Sequence, residues 1–229
     1  MPKSESNASQ DELSDFYFIA AETPEEITNK LIKVVCERIP KRFGFHPTND
    51  IQVLTPMNRS GLGARALNVE LQKQLNNYNV AQTNSITKFG SSYASGDKVI
   101  QVINNYDKEV FNGDIGTIFS IDKEEGKLQI DFDGRKVEYE FSELDELALA
   151  YAVSIHKSQG SEYKAVVIPI STSHYVMLER NLLYTAVTRG KELVVLIGQK
   201  KALAMAIKNK CSVHRVTALK QRLQGTVSK

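Results

Sequence analysis

Two stretches decide how this chain is read: Ser154-Ile-His-Lys-Ser-Gln-Gly-Ser-Glu162 and Leu183-Tyr-Thr-Ala-Val-Thr-Arg-Gly190. The first is a polar loop of hydroxyls, a cation, an imidazole, an amide and a glycine. It leads into Val166 to Ile170, a continuous apolar run that predicts a buried strand. The second closes a predicted helix, Met177 to Arg189, with Gly190 as a left-handed residue behind its end. Leu193 to Ile197 then reads as another buried strand. Lys200 to Lys208 reads as a helix with Leu203 and Ile207 inward. Upstream of the loop, Glu146 to Tyr151 is compatible with a helix.

The N-terminal half repeats this alternation. Phe16 to Ala20 is a short aromatic and β-branched strand. Thr23 offers an N-cap, Pro24 fits the first helical position and Glu26 completes a capping box. Ile27, Leu31, Val34, Val35 and Ile39 recur at helical spacing until Pro40, where the helix is expected to stop. Ile51 to Leu54 is a strand, and Ala64, Leu67, Leu71 and Leu75 stripe the next helix. Strand, helix, strand, helix predicts a parallel sheet with covering helices. Between the halves the period changes to two. Leu128, Ile130 and Phe132 alternate with polar residues, Asp133-Gly134 supplies a hairpin turn, and Val137, Tyr139 and Phe141 alternate again. Glu125-Gly126 and Asn112-Gly113-Asp114 mark further turns. The expected division is therefore a discontinuous α/β domain (16–87 and 145–212) carrying a small β-barrel insertion (88–144). Polar tails at 1–15 and 213–229 flank it.

Composition narrows the chemistry. The 229 residues carry a formal net charge of +2, so any nucleic-acid contact must come from local patches and not from a global positive field. Cys36 and Cys211 lack metal-ligand spacing to each other or to the four histidines, and no metal site is expected. Cys36 falls on an apolar helical stripe and reads as a small buried side chain. Reduced thiols and a cytoplasmic location follow as the simple expectation. No apolar run approaches the roughly 20 residues that span a bilayer. No glycine-rich loop ending in Gly-Lys-Ser or Gly-Lys-Thr is present.

The two opening stretches together resemble motifs V and VI of superfamily 1 DNA helicases, in the RecD-like branch. Thr55-Pro-Met-Asn-Arg59 resembles motif IV. Gly96-Asp-Lys-Val-Ile-Gln101 and Asn112-Gly-Asp-Ile-Gly-Thr117 resemble the SH3-like insertion of the same helicases. The resemblance covers about residues 15 to 210 and implies a RecA-like domain of P-loop NTPase type with an inserted SH3-like barrel. It implies that Ser154, His156, Lys157 and Ser158 face single-stranded DNA, with weaker contacts from Thr55 and Asn58. Gln159 and Gly160 would lie between DNA and nucleotide, and Glu162 would face the nucleotide sugar. Taken alone, Arg189 at a helix end would complement the helix dipole. Within the motif it is the arginine finger that reaches the γ-phosphate of ATP, with Arg59 as a second phosphate contact and Leu67 and Asn68 nearby. On the barrel, Lys88, Lys98, Asn104, Asn105, Tyr106 and Lys108 either present a cationic, partly aromatic surface to a single strand or form a hydrated loop.

The expected whole is the C-terminal motor half of an ATP-dependent helicase like the exodeoxyribonuclease V alpha subunit, acting in DNA repair and recombination. Its Walker lysine, Mg2+ ligands and adenine contact would lie in an N-terminal RecA-like domain outside this chain. The isolated chain would then be inactive. Nuclease or further helicase subunits are open as partners, and a membrane is not expected. Two rivals stand beside this reading: the helicase part of a conjugative relaxase, and a non-catalytic DNA-binding or regulatory module.

Overall fold

The computed structural model describes residues 14–76 and 85–209. Nearly all of the expected N-terminal tail, Cys211 and the C-terminal tail lie outside the described residues. From the N-terminal side run β1 (Phe16–Ala20), α1 (Pro24–Lys33), α2 (Ile39–Phe43), β2 (Ile51–Thr55) and α3 (Ala64–Leu75). A β-rich stretch follows, with the hairpin β3 (Ser85–Lys88) and β4 (Ser91–Ala94). After it come β5 (Lys98–Gln101), β6 (Ile115–Asp122), β7 (Lys127–Phe132), β8 (Arg135–Glu140) and β9 (Leu147–Leu149). The alternation then resumes with β10 (Ala152–Ser154), β11 (Tyr163–Ile170), α4 (Arg180–Val187), β12 (Gly190–Gly198) and α5 (Lys200–Lys208).

Strands β1, β12, β11, β2 and β10 lie side by side in that order, every pair parallel. A parallel strand is covered on both faces, which is why its sequence is apolar without alternation. The two faces separate by residue parity. Ala165, Val167, Leu193, Val195 and Ile197 share a core with Ile27 and Leu31 of α1 and Leu67 and Leu71 of α3. Val166, Ile168, Ile170, Val194 and Leu196 share another with Ala186 of α4 and with Ala202 and Ala206 of α5.

The inserted sheet is antiparallel in the order β8, β7, β6, β5, β9. Asp133 (φ 51°) and Gly134 (φ 89°) both take the left-handed conformation that a two-residue hairpin needs. Leu128, Ile130, Phe132, Val137 and Tyr139 point inward, as their alternation required. A buried carboxylate fastens this sheet to the α/β part. Asp97, fully buried, accepts hydrogen bonds from Gln72 Nε2 (2.6 Å) and Asn76 Nδ2 (2.6 Å) at the end of α3. It also accepts from the Ala94 amide (2.7 Å) and the Tyr151 hydroxyl (2.9 Å). Burial raises the Asp97 pKa, opposed by these four donors.

Several expectations are corrected. The first helix does not end at Pro40; the chain widens into a π turn over Val34–Arg38 and α2 carries it to Gly44 (φ 71°). Proline lacks an N–H, and the wider turn lets the helix pass the position where one would be missing. Thr23 caps α1, but Glu26 reaches back to the amide of Glu22 (2.7 Å), one residue before the cap. Glu146–Tyr151 is not helical: Phe141–Glu146 is a 3-10 turn and Leu147–Leu149 is β9, so the antiparallel sheet continues past residue 144. The helix expected from Met177 begins only at Arg180, after a 3-10 turn over Thr172–Met177. In α5 it is Ala202 and Ala206 that are buried, whereas Ile207 is exposed. Gly190 is no helix cap. It opens β12, where an added Cβ would lie 2.9 Å from the Leu193 carbonyl oxygen and from Val166 Cγ2. Close approach, not a positive φ, is what requires glycine there.

Candidate functional site

Open parallel sheets place ligand-binding groups in loops at the carboxyl ends of their strands. Here β10 ends at Ser154, and a 3-10 turn, Ile155–Ser158, follows at once. Ile155 is buried and anchors the turn in the core shared with α4 and α5. Ser158 is also buried, and its hydroxyl donates to the Ile155 carbonyl (2.8 Å). Its role is therefore to close the turn, and the expectation that it faces DNA is corrected. His156 and Lys157 are left exposed on the outside of the turn. Partial desolvation holds the Lys157 ammonium below the usual lysine value. Gly160 has φ 88°, and a methyl added to it would meet nothing within 4 Å, so conformation and not space demands glycine there.

Buried amides set the position of this loop. Asn68 Nδ2 donates to the carbonyls of Leu149 (2.9 Å) and Ala152 (2.8 Å), and its Oδ1 accepts from the Ala152 amide (2.7 Å). Gln52 Nε2 donates to the Ala150 (2.9 Å) and Tyr151 (3.1 Å) carbonyls. Both bond main-chain groups where β9 passes into β10, and the Tyr151 carbonyl accepts from the Val53 amide (3.3 Å) as well. Neither role could be read from sequence spacing.

Arg189 follows α4 directly and folds back onto the same loop. Its Nη1 donates to the Ser161 carbonyl (3.1 Å) and its Nη2 to the Thr188 hydroxyl (3.4 Å). Its own carbonyl accepts from the Tyr163 amide (2.8 Å). The Nε atom is buried with no partner, so the guanidinium keeps an unused donor. Glu162 is exposed and pairs with Lys191 (3.2 Å). Gln159 is exposed and its side chain makes no hydrogen bond among the described residues. Arg59 is likewise exposed and unpaired among the described residues, in the loop after β2. Thr55 is corrected: it is fully buried and its hydroxyl donates to the Leu62 carbonyl (2.7 Å), so it cannot touch DNA.

The expected residues divide between two recesses. Asn58, Ser154 and Lys157 line a groove of about 680 Å³ between α3, the β3–β4 hairpin and the antiparallel sheet. Arg65, Thr87 and Phe89 line it too, and sequence reasoning missed them. Phe89 stands at the hairpin turn with φ 51° and a largely exposed ring. His156 and Gln159 open instead on a pocket of about 240 Å³ against the start of α4. The barrel cations are mostly committed elsewhere. Lys98 is buried, donates to the Thr48 carbonyl (2.8 Å) and has its pKa pushed down to about 8 by burial. Lys108 pairs with Glu143 and lies over the Tyr139 ring. Asn105 donates to Glu146 (3.2 Å). Lys88, Asn104 and Tyr106 keep exposed positions. No three His, Cys, Asp or Glu side chains group to hold a metal ion among the described residues, and no described helix is long and apolar enough to cross a membrane.

Residues 149–197, which contain both opening stretches, match the UvrD-like helicase C-terminal domain. Residues 67–132 match the SH3 domain of ATP-dependent RecD-like DNA helicases. Over 176 residues the chain is 37% identical to the ATP-dependent RecD2 DNA helicase of Deinococcus radiodurans, covering 76% of this chain and 24% of that protein. Over 140 residues it is 31% identical to the RecBCD enzyme subunit RecD of Mycobacterium tuberculosis, covering 58% of this chain and 22% of that one. The chain thus spans about a quarter of the length of these curated relatives. Among solved structures, Pif1 helicase from Bacteroides, in complex with ADP-AlF3 and single-stranded DNA, superposes with a TM-score of 0.55. That match has 14% identity and covers 89% of this chain and 51% of the other, and it speaks for the fold alone.

Proposed function

Because this chain belongs to the RecD-like helicases, as their C-terminal helicase domain with its SH3 insertion, we propose that it is half of an ATP-dependent DNA motor. The 16–87 and 145–212 segments form the second RecA-like domain, and the barrel between them is the SH3-like insertion. A RecA-like domain N-terminal to this one supplies the glycine-rich phosphate cradle, the Mg2+ ligands and the adenine contact. ATP binds between the two domains, in the cytoplasm where its DNA substrate lies. Nuclease or further helicase subunits are candidate partners of the assembled enzyme.

One observation carries this reading: the arginine of the second stretch is hydrogen-bonded to the loop of the first through Ser161, and to Tyr163, the residue just after that loop. On the proposal, Arg189 turns its guanidinium, with the unpartnered Nε, toward the γ-phosphate and stabilises charge on the transferred phosphoryl group. Arg59 is the second phosphate contact. Ser154, His156 and Lys157 hold the DNA backbone by hydrogen bonds and charge. Gln159, Gly160 and Glu162 lie between the two ligands, so a shift of the strand reaches Arg189 through a few bonded residues. The relaxase-linked reading differs only in what is attached to this motor half.

A chain with one wall of the nucleotide cleft should turn over no ATP by itself. Phosphate release at saturating single-stranded DNA is the test, and none is expected from residues 1–229. Turnover that persists through further purification and disappears in Arg189→Ala would contradict the proposal.

A further inference from the structure

The pocket of about 240 Å³ between the Ile155–Ser158 turn and the start of α4 shares His156 and Gln159 with the loop argued above to hold DNA, but its other lining residues have no part in that reading. Its apolar lining is Met177 and Leu182, and His156, Gln159, Glu179 and Asn181 supply polar side chains, with Thr185 beside them. None of those four side chains makes a hydrogen bond or ion pair among the described residues, although other polar side chains near them do. Thr185, for example, bonds the Asn181 carbonyl (2.9 Å). Uncommitted amides and a carboxylate beside an apolar lining match the flat face and polar edge of one nucleobase. The volume lies below that of ordinary pockets for drug-sized molecules, roughly 300–1,000 Å³, which fits a single ring system.

We infer that this pocket receives one base of the bound strand and favours bases that carry an exocyclic amino group. The Glu179 carboxylate can only accept, so it rewards an amino donor and disfavours a phosphate. The Gln159 and Asn181 carboxamides each offer a donor and an acceptor, the pairing that reads base edges elsewhere. Thymine is the DNA base without an amino group, so it should fit worst. The nucleotide of the motor is an unsuitable occupant. The Glu179 carboxylate would repel its triphosphate, and Arg189 is not among the lining residues, although Thr185, about one helical turn before it, is. The inference rests on the proposal that the Ser154–Lys157 loop holds DNA.

The test uses the full-length protein that carries this domain and short labelled homopolymers of dC and dT, two pyrimidines with similar stacking. Fluorescence anisotropy should show dC bound about fivefold more tightly than dT, the low end of what one bidentate base contact supplies. Asn181→Ala and Glu179→Ala, both at positions outside the core, should weaken dC binding to the dT level and leave dT unchanged. Equal affinities in the wild type would overturn the inference, as would variants that weaken both homopolymers by the same factor. Lys157→Ala should weaken both equally, which supports the phosphate grip beneath it. If Lys157→Ala weakens neither while the dC preference persists, the backbone assignment fails and the base pocket stands. No binding of the wild type to either homopolymer would overturn both.

Discussion

The loops of the parallel sheet and the surface of the antiparallel barrel hold similar residues and treat them differently. Barrel cations are spent inside the barrel: Lys127 pairs with Glu138 (2.9 Å), Lys136 lies 3.3 Å from the Phe119 ring centroid and Arg135 donates to the carbonyls of Lys108 and Glu109. In the loops after β2 and β10, Arg59, His156 and Lys157 make no such bonds among the described residues, although Gln52 and Asn68 pin the main chain leading into β10 and Thr55 pins the loop after β2. A rigid main chain under uncommitted side chains is the arrangement a ligand site needs, because the ordering cost is met before binding. Charge alone does not mark a site; absence of an internal partner does.

The largest effect that could break this contrast is on turnover. In the full-length protein, Arg189→Ala should lower DNA-stimulated ATP hydrolysis by about 10³-fold or more, the scale of an arginine finger. Affinity for single-stranded DNA should stay near wild type. A variant that keeps its turnover and loses DNA binding would place Arg189 on the wrong ligand.

The second effect is on stability, at the joint between the regions. Asp97→Ala leaves four donors, from Gln72, Asn76, Ala94 and Tyr151, without their acceptor. Stranded buried donors cost about 1–3 kcal/mol each where water cannot reach them, and removing the buried carboxylate relieves its own desolvation, so a net loss of about 3 kcal/mol or more is expected in denaturant unfolding. A change below about 1 kcal/mol would mean that water replaces the carboxylate and that the joint is looser than its hydrogen bonds imply.

The contrast also shows what sequence could reveal. Val166–Ile170, Leu193–Ile197 and Ile51–Leu54 were legible as strands because burial on both faces leaves almost no polar residue inside them. Asp133-Gly134 was legible because few residues accept two successive positive φ values. Leu147–Leu149 was not, since a short apolar run fits helix and strand equally. Thr55 and Ser158 look like surface hydroxyls in sequence, yet each is turned inward by a local main-chain carbonyl. The pocket beside α4 was missed because Glu179 and Asn181 have no spacing of their own and gain meaning only opposite His156 and Gln159. The burial of Asp97 and Lys98 was equally illegible, because distant partners decide it.

A smaller effect separates a buried barrel lysine from an exposed one by pH. Lys98 has its pKa pushed down to about 8 from the ordinary lysine value of 10.5. Below pH 8 folded and unfolded chains both hold the proton, and the cost of burying the charge is constant. Between those two values the unfolded chain binds more protons, so stability rises with pH, by about 3 kcal/mol in total. Lys98→Met lacks this rise, and its unfolding midpoint relative to wild type should fall across that window. Parallel curves for the two proteins would show that the Lys98 ammonium is solvated.

The central claim, that the loop after β10 and not the barrel grips the strand, is tested most directly by a salt series. Lys157→Ala and the exposed barrel variant Lys136→Ala are compared with wild type by anisotropy on a labelled single strand, in the full-length protein. Losing one phosphate contact should reduce the slope of log affinity against log salt by about 0.7 for a single strand. The account predicts that reduction for Lys157→Ala and an unchanged slope for Lys136→Ala. An unchanged slope for Lys157→Ala with a reduced one for Lys136→Ala would move the grip to the barrel and contradict it.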